Sequence, residues 1–218
     1  MNLSLQTVIV FIIYLIFVIA SVLITNKYIE ETYKIERWDR RIIYLLSIMV
    51  FLAVESFYMN SKFISFAFFW LFVIAFLDHK SHFIYHWMLL ISVIINTIVA
   101  ITNNFGVITI VLSFLIGFIS YLVIYGLALL FYKREAFGFG DVLLMGSLGL
   151  LLGVRGTLIA SILTFYLALA VITILFFTKK KIDKKTEIAF APFMILSALL
   201  VALFEHQIIE LYRSIFMI

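Results

Sequence analysis

The sequence contains no cysteine, a single proline and few charged side chains. The absence of cysteine excludes disulfide bridges, cysteine-ligated zinc sites and thiol nucleophiles. Only 13% of the 218 residues are charged, whereas 66% are hydrophobic, which is more apolar surface than a soluble domain of this length needs. The net charge of +4 belongs mostly to loop lysines and arginines, so it does not indicate a nucleic-acid partner. The composition therefore predicts a protein that crosses a membrane several times.

About eight apolar segments follow one another along the chain, and most approach the ~20 residues that a helix needs to cross a bilayer. They are too continuously apolar for the alternating strands of a barrel, so we expect an all-α membrane helix bundle of about eight transmembrane segments. The segment at 141–153 is short, which indicates a tilted or partial span inside the bundle. The approximate ranges are 7–25, 42–59, 62–78, 84–102, 107–131, 141–153, 157–178 and 188–204.

Most of the basic residues lie in loops that an eight-span chain places on one side. Cytoplasmic loops of membrane proteins are rich in lysine and arginine. This rule predicts that both termini lie outside and that Asp78 and Asp141 lie at the same, cytoplasmic, face. The loops concerned are 26–41, 78–86, 132–141 and 179–187.

Asp141 ends the motif Gly138-Phe139-Gly140-Asp141, where a polar segment meets an apolar one. An aspartate at a membrane edge is costly unless it is paired, solvated or used. The glycines allow a tight turn and the close approach of another chain, such as a substrate backbone. Taken alone, Asp141 is also explained as a helix N-cap, because Asp is favoured there by hydrogen bonding and by the helix dipole.

Asp78 follows an apolar run and is expected near the C-terminal end of a helix. A helix dipole disfavours a negative charge at that end, so capping does not explain this residue. Pairing with Lys80 or another loop cation is the alternative to a functional role.

Two carboxylates at one membrane face are more informative than either alone. Aspartic proteases hold two carboxyl groups a few ångströms apart. The charged one acts as a base toward water, and the protonated one donates to the scissile carbonyl. Such a pair titrates as a unit. Asp78 and Asp141 therefore predict an aspartic protease at the membrane edge that uses water as nucleophile and needs no cofactor.

Histidines near Asp78 offer a metal-binding alternative. Asp78, His82 and His86 have i, i+4, i+8 spacing, with His79 nearby, and would share one face of a continuous helix. The segment spans an expected loop, however. We therefore predict no metal site and expect the histidines at the membrane interface.

The run from Glu135 to Val142 resembles the second catalytic motif of the prepilin peptidase family, membrane aspartic proteases that remove the leaders of type IV prepilins and pseudopilins. Asp78 matches the first catalytic aspartate of that family. The segment from Ile188 to Met194, which contains the only proline, resembles the family's apolar-proline segment.

The resemblance implies an endopeptidase of the bacterial cytoplasmic membrane that cuts a prepilin or pseudopilin at the cytoplasmic face, just before its hydrophobic helix. The implied partners are this substrate and the lipid bilayer, with no nucleic acid. Residues 1–60 would form an N-terminal two-helix membrane segment, and 61–218 the peptidase domain of a single structural unit. The implied catalytic residues are Asp78 and Asp141, and the implied substrate-binding or motif residues are Gly138, Phe139, Gly140 and Pro192.

The chain departs from the family pattern at three places. Leu143 stands where the family usually has a lysine, and Tyr85 where it usually has a proline. Many bacterial members carry a cysteine-containing methyltransferase insert after the first helix. Here that loop runs only from Thr25 to Arg41 and has no cysteine. We therefore expect peptidase activity alone.

Two other functions remain open from the residues. Presenilin-like intramembrane proteases also use a GxGD aspartate, paired with Tyr-Asp and Pro-Ala-Leu segments. Here the corresponding residues are Leu77-Asp78 and Ala191-Pro192-Phe193. A non-enzymatic transporter or assembly subunit would use the same aspartates to handle protons or cations.

Overall fold

Every regular element in the described residues of the computed structural model is an α-helix, and these residues are 5–28, 36–57, 63–132, 138–178 and 189–216. By length and composition, four of the helices can cross a membrane. The predicted all-α membrane bundle is confirmed, and the protein is a multi-pass membrane protein. The helices are α1 (Leu5–Tyr28), α2 (Arg37–Phe57), α3 (Ile64–Ser81), α4 (His86–Thr102), α5 (Val107–Tyr132), α6 (Phe139–Thr178) and α7 (Ala191–Phe216).

The described residues form seven helices rather than the eight predicted segments. The segments expected at 141–153 and 157–178 are parts of α6, a 40-residue element without an intervening loop. Residues 154–156, which separate the two predicted segments, are helical. The interruption is confined to Gly153, whose φ of 70° and ψ of 178° lie outside helical geometry.

The chain reverses direction at Gly153, so α6 has a first arm (139–152) and a second arm (154–178). Along the first arm, Met145 lies against Gly117 of α5 and Gly149 lies against Ser113, so this arm runs antiparallel to α5. The second arm runs the other way. Thr157 lies against Gly117, and further along Phe165 packs against Tyr121, with 5.6 Å between the ring centroids.

Contacts between α5 and the first arm are unusually close because both carry glycine at the crossing. A methyl group added at Gly117 would collide with the backbone of Met145, and one added at Gly149 would collide with the backbone of Ser113. Glycine lets helix backbones in membranes approach in this way. The close approach fixes the register of α5 against the start of α6, where Asp141 lies.

Helix α3 is the most enclosed span of the bundle. Of its residues, 67% are buried in the protein, against 17% for α5. Tyr14 of α1 packs against Phe66 and Phe69 of α3, and Trp70 donates its indole N–H to the carbonyl of Met88 in α4 at 3.0 Å. The first half of α3 is therefore held in place by α1 and α4.

Candidate active site

Asp78 lies in the last turn of α3 and is only 6% exposed. Its Oδ2 accepts a hydrogen bond from the backbone N–H of Ala191, at 3.1 Å. Ala191 is the first residue of α7, so the carboxylate lies at the positive end of another helix. This contact explains how a carboxylate is accommodated at the C-terminal end of its own helix.

Pro192 is the second residue of α7 and is half-buried. Proline is tolerated in the first turn of a helix because the N–H that it lacks would have no intrahelical partner there. The proline therefore starts α7 directly after Ala191 without removing a hydrogen bond of the helix. Pro192 thus directly follows the residue whose N–H binds Asp78.

Asp141 is the third residue of α6 and is 5% exposed. Its Oδ2 accepts a hydrogen bond from the backbone N–H of Gly138 at 3.1 Å. An acidic residue that reaches back in this way forms half of a capping box, so Asp141 does help to begin α6, from the third position rather than the N-cap. Its Oδ1 is buried and has no hydrogen-bond partner within the described ranges.

The structure brings Asp78 and Asp141 together although they come from separate helices. The charge of Asp78 acts on Asp141, and both side chains are shielded from solvent by the surrounding helices. Two carboxyl groups in such a place form one coupled unit in which the protonation of each depends on the other. The arrangement can hold one proton between a base and an acid.

The glycines of the motif differ in their surroundings. Gly138 is exposed, and among the described residues a Cβ added there would have only Asp141 Oδ2, at 3.8 Å, and the Gly140 nitrogen within 4 Å. A Cβ at Gly140 would lie 3.1 Å from the Cβ of Ile84. Gly140 thus lets the α3–α4 connection pack against the start of α6. Open space beside the motif is found at Gly138.

Phe139 is 43% exposed and lies at the edge of the same region. Its ring makes edge contacts with Tyr125 and Phe118 of α5, with centroid distances of 6.0 and 6.5 Å. Phe139 and Gly138 therefore form an accessible surface next to the buried carboxylate of Asp141.

The histidines do not share a helical face with Asp78. Helix α3 ends at Ser81, His82 follows with a φ of 52°, and His86 begins α4. In the part of the chain that the structure describes, no group of three or more His, Asp or Glu side chains is arranged to hold a metal ion.

Lys80 lies with its Nζ 3.6 Å from Asp39 Oδ1, at the start of α2. The structure therefore pairs Lys80 with Asp39, whereas Asp78 is held by Ala191. The contact joins the beginning of α2 to the end of α3 beside the aspartate pair.

Two of the three departures from the family pattern, Leu143 and Tyr85, also lie near the aspartates. Leu143 is half-buried and packs against the apolar core. Tyr85 precedes α4 with a φ of −75°, close to the value that a proline ring imposes. The backbone at this position thus has a proline-like conformation without the proline.

Sequence patterns assign no role to Tyr121 and mark Ala191 only as a neighbour of Pro192. Tyr121 is fully buried in α5, and the charge of Asp141 acts on its hydroxyl. Ala191 contributes a backbone N–H, which any residue other than proline would supply. Only the tertiary structure brings these groups to the aspartates.

A model of the type IV leader peptidase family matches residues 65–176. The chain belongs to the type IV leader peptidase family. The matched segment runs from α3 into the second arm of α6, so it contains both Asp78 and Asp141. Helix α7, whose first N–H binds Asp78, lies beyond it.

Membership in the type IV leader peptidase family makes this chain a peptidase and agrees with the resemblance found in the sequence. No curated protein and no solved structure matches the chain.

Proposed function

We propose that this peptidase is an aspartic endopeptidase that removes the leader of type IV prepilin-like proteins. One observation carries the proposal. Asp78 and Asp141 are buried together, and each accepts a hydrogen bond from a backbone N–H at a helix start. Such fixed donors hold carboxylates in place without adding another charge.

The proposed reaction needs only water and the two carboxyl groups. The charged carboxylate takes a proton from water as the oxygen attacks the scissile carbonyl carbon. The protonated carboxyl donates its proton to the carbonyl oxygen, which gives a tetrahedral intermediate. When the C–N bond breaks, the carboxyl that took the proton from water gives it to the leaving amine. A hydroxyl of the intermediate returns its proton to the other carboxylate as the product carboxylic acid forms, so the pair again holds one proton. No cofactor takes part.

Gly138 and Phe139 support a substrate approach beside Asp141, because this surface is open while the carboxylates are buried. In our proposal, the extended segment before the substrate's hydrophobic helix lies over Gly138 and Phe139. Gly140 and Pro192 keep the surrounding backbone in place. The basic residues in the predicted loops support a cytoplasmic location for this end of the bundle, in the bacterial cytoplasmic membrane.

Co-expression with a prepilin-like protein from the same genome tests the proposal. Leader loss is followed by gel shift and mass spectrometry for wild type, Asp78→Asn and Asp141→Asn. The control is Asp39→Asn, which changes a buried aspartate that pairs with Lys80. We expect cleavage by wild type and the control, and at least ~100-fold slower cleavage by the other two variants.

The alternatives give different results in the same experiment. A presenilin-like protease would cut a transmembrane helix stub and leave the prepilin leader intact. A transporter would show aspartate-dependent ion flux without proteolysis. Prepilin cleavage that survives either substitution would remove that aspartate from the mechanism.

A further inference from the structure

The register between α5 and the first arm of α6 brings Tyr121 opposite Asp141. Gly117 faces Met145, and Ser113 faces Gly149 one turn away, in an antiparallel arrangement. One turn in the other direction leads from Gly117 to Tyr121 and from Met145 to Asp141. Residues four apart lie on the same helix face, so Tyr121 and Asp141 continue this row of facing residues.

The ring of Tyr121 is held firmly in this position. Its side chain is 0% exposed and lies against Phe165 of the second arm and Phe190 before α7, with centroid distances of 5.6 and 6.3 Å. The charge of Asp141 acts on its hydroxyl. A buried phenol normally uses its O–H in a hydrogen bond, so the acceptor for the Tyr121 proton must be one of the polar groups around the hydroxyl.

A second polar group near the Tyr121 hydroxyl is the side chain of Thr164, which interacts with it. Thr164 Oγ1 lies 2.6 Å from Ser197 Oγ of α7, so one of the two hydroxyls donates to the other. If Thr164 donates, Ser197 gives its proton to the carbonyl of Met194 at 2.8 Å. If Ser197 donates, Thr164 gives its proton to the carbonyl of Ala160 at 2.8 Å. In either case the Thr164 oxygen keeps a lone pair that can accept from Tyr121.

Because the Thr164 hydroxyl gives its own proton to another group, Tyr121 can donate its hydroxyl proton either to the Thr164 oxygen or to Asp141. We propose that Tyr121 is a positioning residue for Asp141, donating its hydroxyl proton to the carboxylate when it is charged and turning to Thr164 when it is protonated. The proposal rests on the proposed role of the aspartate pair. It also links both aspartates to α7. Asp78 is linked through the N–H of Ala191, and Asp141 through Tyr121 and Thr164 to Ser197.

Tyr121→Phe tests the proposal because it removes one oxygen and keeps the ring that packs against Phe165 and Phe190. The matched control is Tyr14→Phe. Tyr14 is also 0% exposed, but its hydroxyl donates to the carbonyl of Ser47 at 2.8 Å, between α1 and α2. Both variants are compared with wild type in the prepilin cleavage assay, with membrane levels measured alongside.

We expect Tyr121→Phe to lower kcat about tenfold or more, the factor that corresponds to one hydrogen bond to a charged group, with KM little changed. The acid limb of its pH–rate profile moves to higher pH, since the charged carboxylate has lost a donor. Thr164→Val should move the acid limb to lower pH, because Asp141 becomes the only acceptor left to Tyr121. Tyr14→Phe keeps the wild-type profile.

Opposite shifts in Tyr121→Phe and Thr164→Val are the result that a purely structural role would not produce. An unchanged profile in Tyr121→Phe, or shifts of both variants in one direction, would overturn the proposal while leaving the peptidase function intact. If wild type itself cuts no prepilin, the proposed function fails.

If wild type cuts no prepilin, infrared titration of the full-length protein can still test the role of Tyr121. The carboxyl band that Asp141→Ala removes must change its titration midpoint in Tyr121→Phe and keep it in Tyr14→Phe. An identical midpoint in wild type, Tyr121→Phe and Tyr14→Phe would refute the positioning role without the use of any substrate.

Discussion

Asp78 accepts a hydrogen bond from the backbone N–H of Ala191, 113 residues further along the chain, at 3.1 Å. The bond joins the end of α3, the most enclosed span, to the start of α7. Ala191 lies outside the segment that the family model matches, so this part of the candidate site is contributed by a helix beyond it. The contact leads directly to a substitution that tests it.

Ala191→Pro should lower the cleavage rate about tenfold or more, because it removes the N–H that Asp78 accepts and places a ring carbon there. Proline is accepted at the first position of a helix, so α7 should still form. The rate of leader loss and the thermal unfolding of the purified protein measure the two effects separately. Ala191→Ser retains the N–H and serves as control. A proline variant as active as the serine variant would show that this hydrogen bond is dispensable.

Gly117→Ala and Gly149→Ala should each destabilise the protein by about 1–3 kcal/mol. The added methyl groups meet backbone atoms of the facing helix, which cannot rotate away as a side chain can. Thermal unfolding in detergent measures the loss. Gly126→Ala in α5 is the matched control, because a Cβ there meets no atom of the described residues within 4 Å. Equal stability of the three variants would contradict the close packing of α5 against the first arm.

Gly153→Ala should cost about 1–3 kcal/mol through backbone strain, since a φ of 70° with a ψ of 178° is a region essentially restricted to glycine. Gly106→Ala provides the comparison. Gly106 has no positive φ, and its nearest atom to an added Cβ is the Thr109 hydroxyl at 4.0 Å. The measurement is again thermal unfolding in detergent. If Gly153→Ala is no less stable than Gly106→Ala, the reversal between the arms does not depend on this conformation.

Asn96→Leu should destabilise the contact between α4 and α6 by about 1–2 kcal/mol. The Asn96 amide donates to the carbonyl and the hydroxyl of Ser147, at 2.9 and 3.0 Å. Thr97→Val is the control on the same helix, because within the described part of the chain the Thr97 hydroxyl bonds only to Val93 of α4, at 2.7 Å. Chemical unfolding in detergent compares the variants with wild type. A loss in Asn96→Leu no larger than in Thr97→Val would show that this bond between helices adds nothing.

Apolar patterning predicts the helices well, because a backbone inside a bilayer must satisfy its own hydrogen bonds. It does not predict the form of the break at Gly153, for a physical reason. Hydropathy averages over many residues and leaves 154–156 as a gap between two segments, whereas the chain reverses at one glycine within helical surroundings. The buried first arm agrees with the sequence expectation of a short segment packed inside the bundle.

The candidate site, like the fold, is predicted only in part by the sequence. The basic loops already group Asp78 and Asp141 at one end of the bundle, and the structure brings these residues together. The groups that contact the aspartates could not be predicted from the sequence. A backbone N–H such as that of Ala191 carries no residue-specific signal, and the importance of Tyr121 depends on a register that two distant glycines set. These relationships exist only in the folded chain.

The hydrogen bond between Asp78 and Ala191 also bears on the order of biosynthesis. A ribosome releases α3 long before α7, so Asp78 reaches the membrane edge before its backbone donor has been made. Until α7 inserts, the Asp78 carboxylate lacks this donor and the pair with Asp141 is incompletely held. Under the proposed function, a nascent chain would therefore acquire proteolytic competence only after α7 has been inserted.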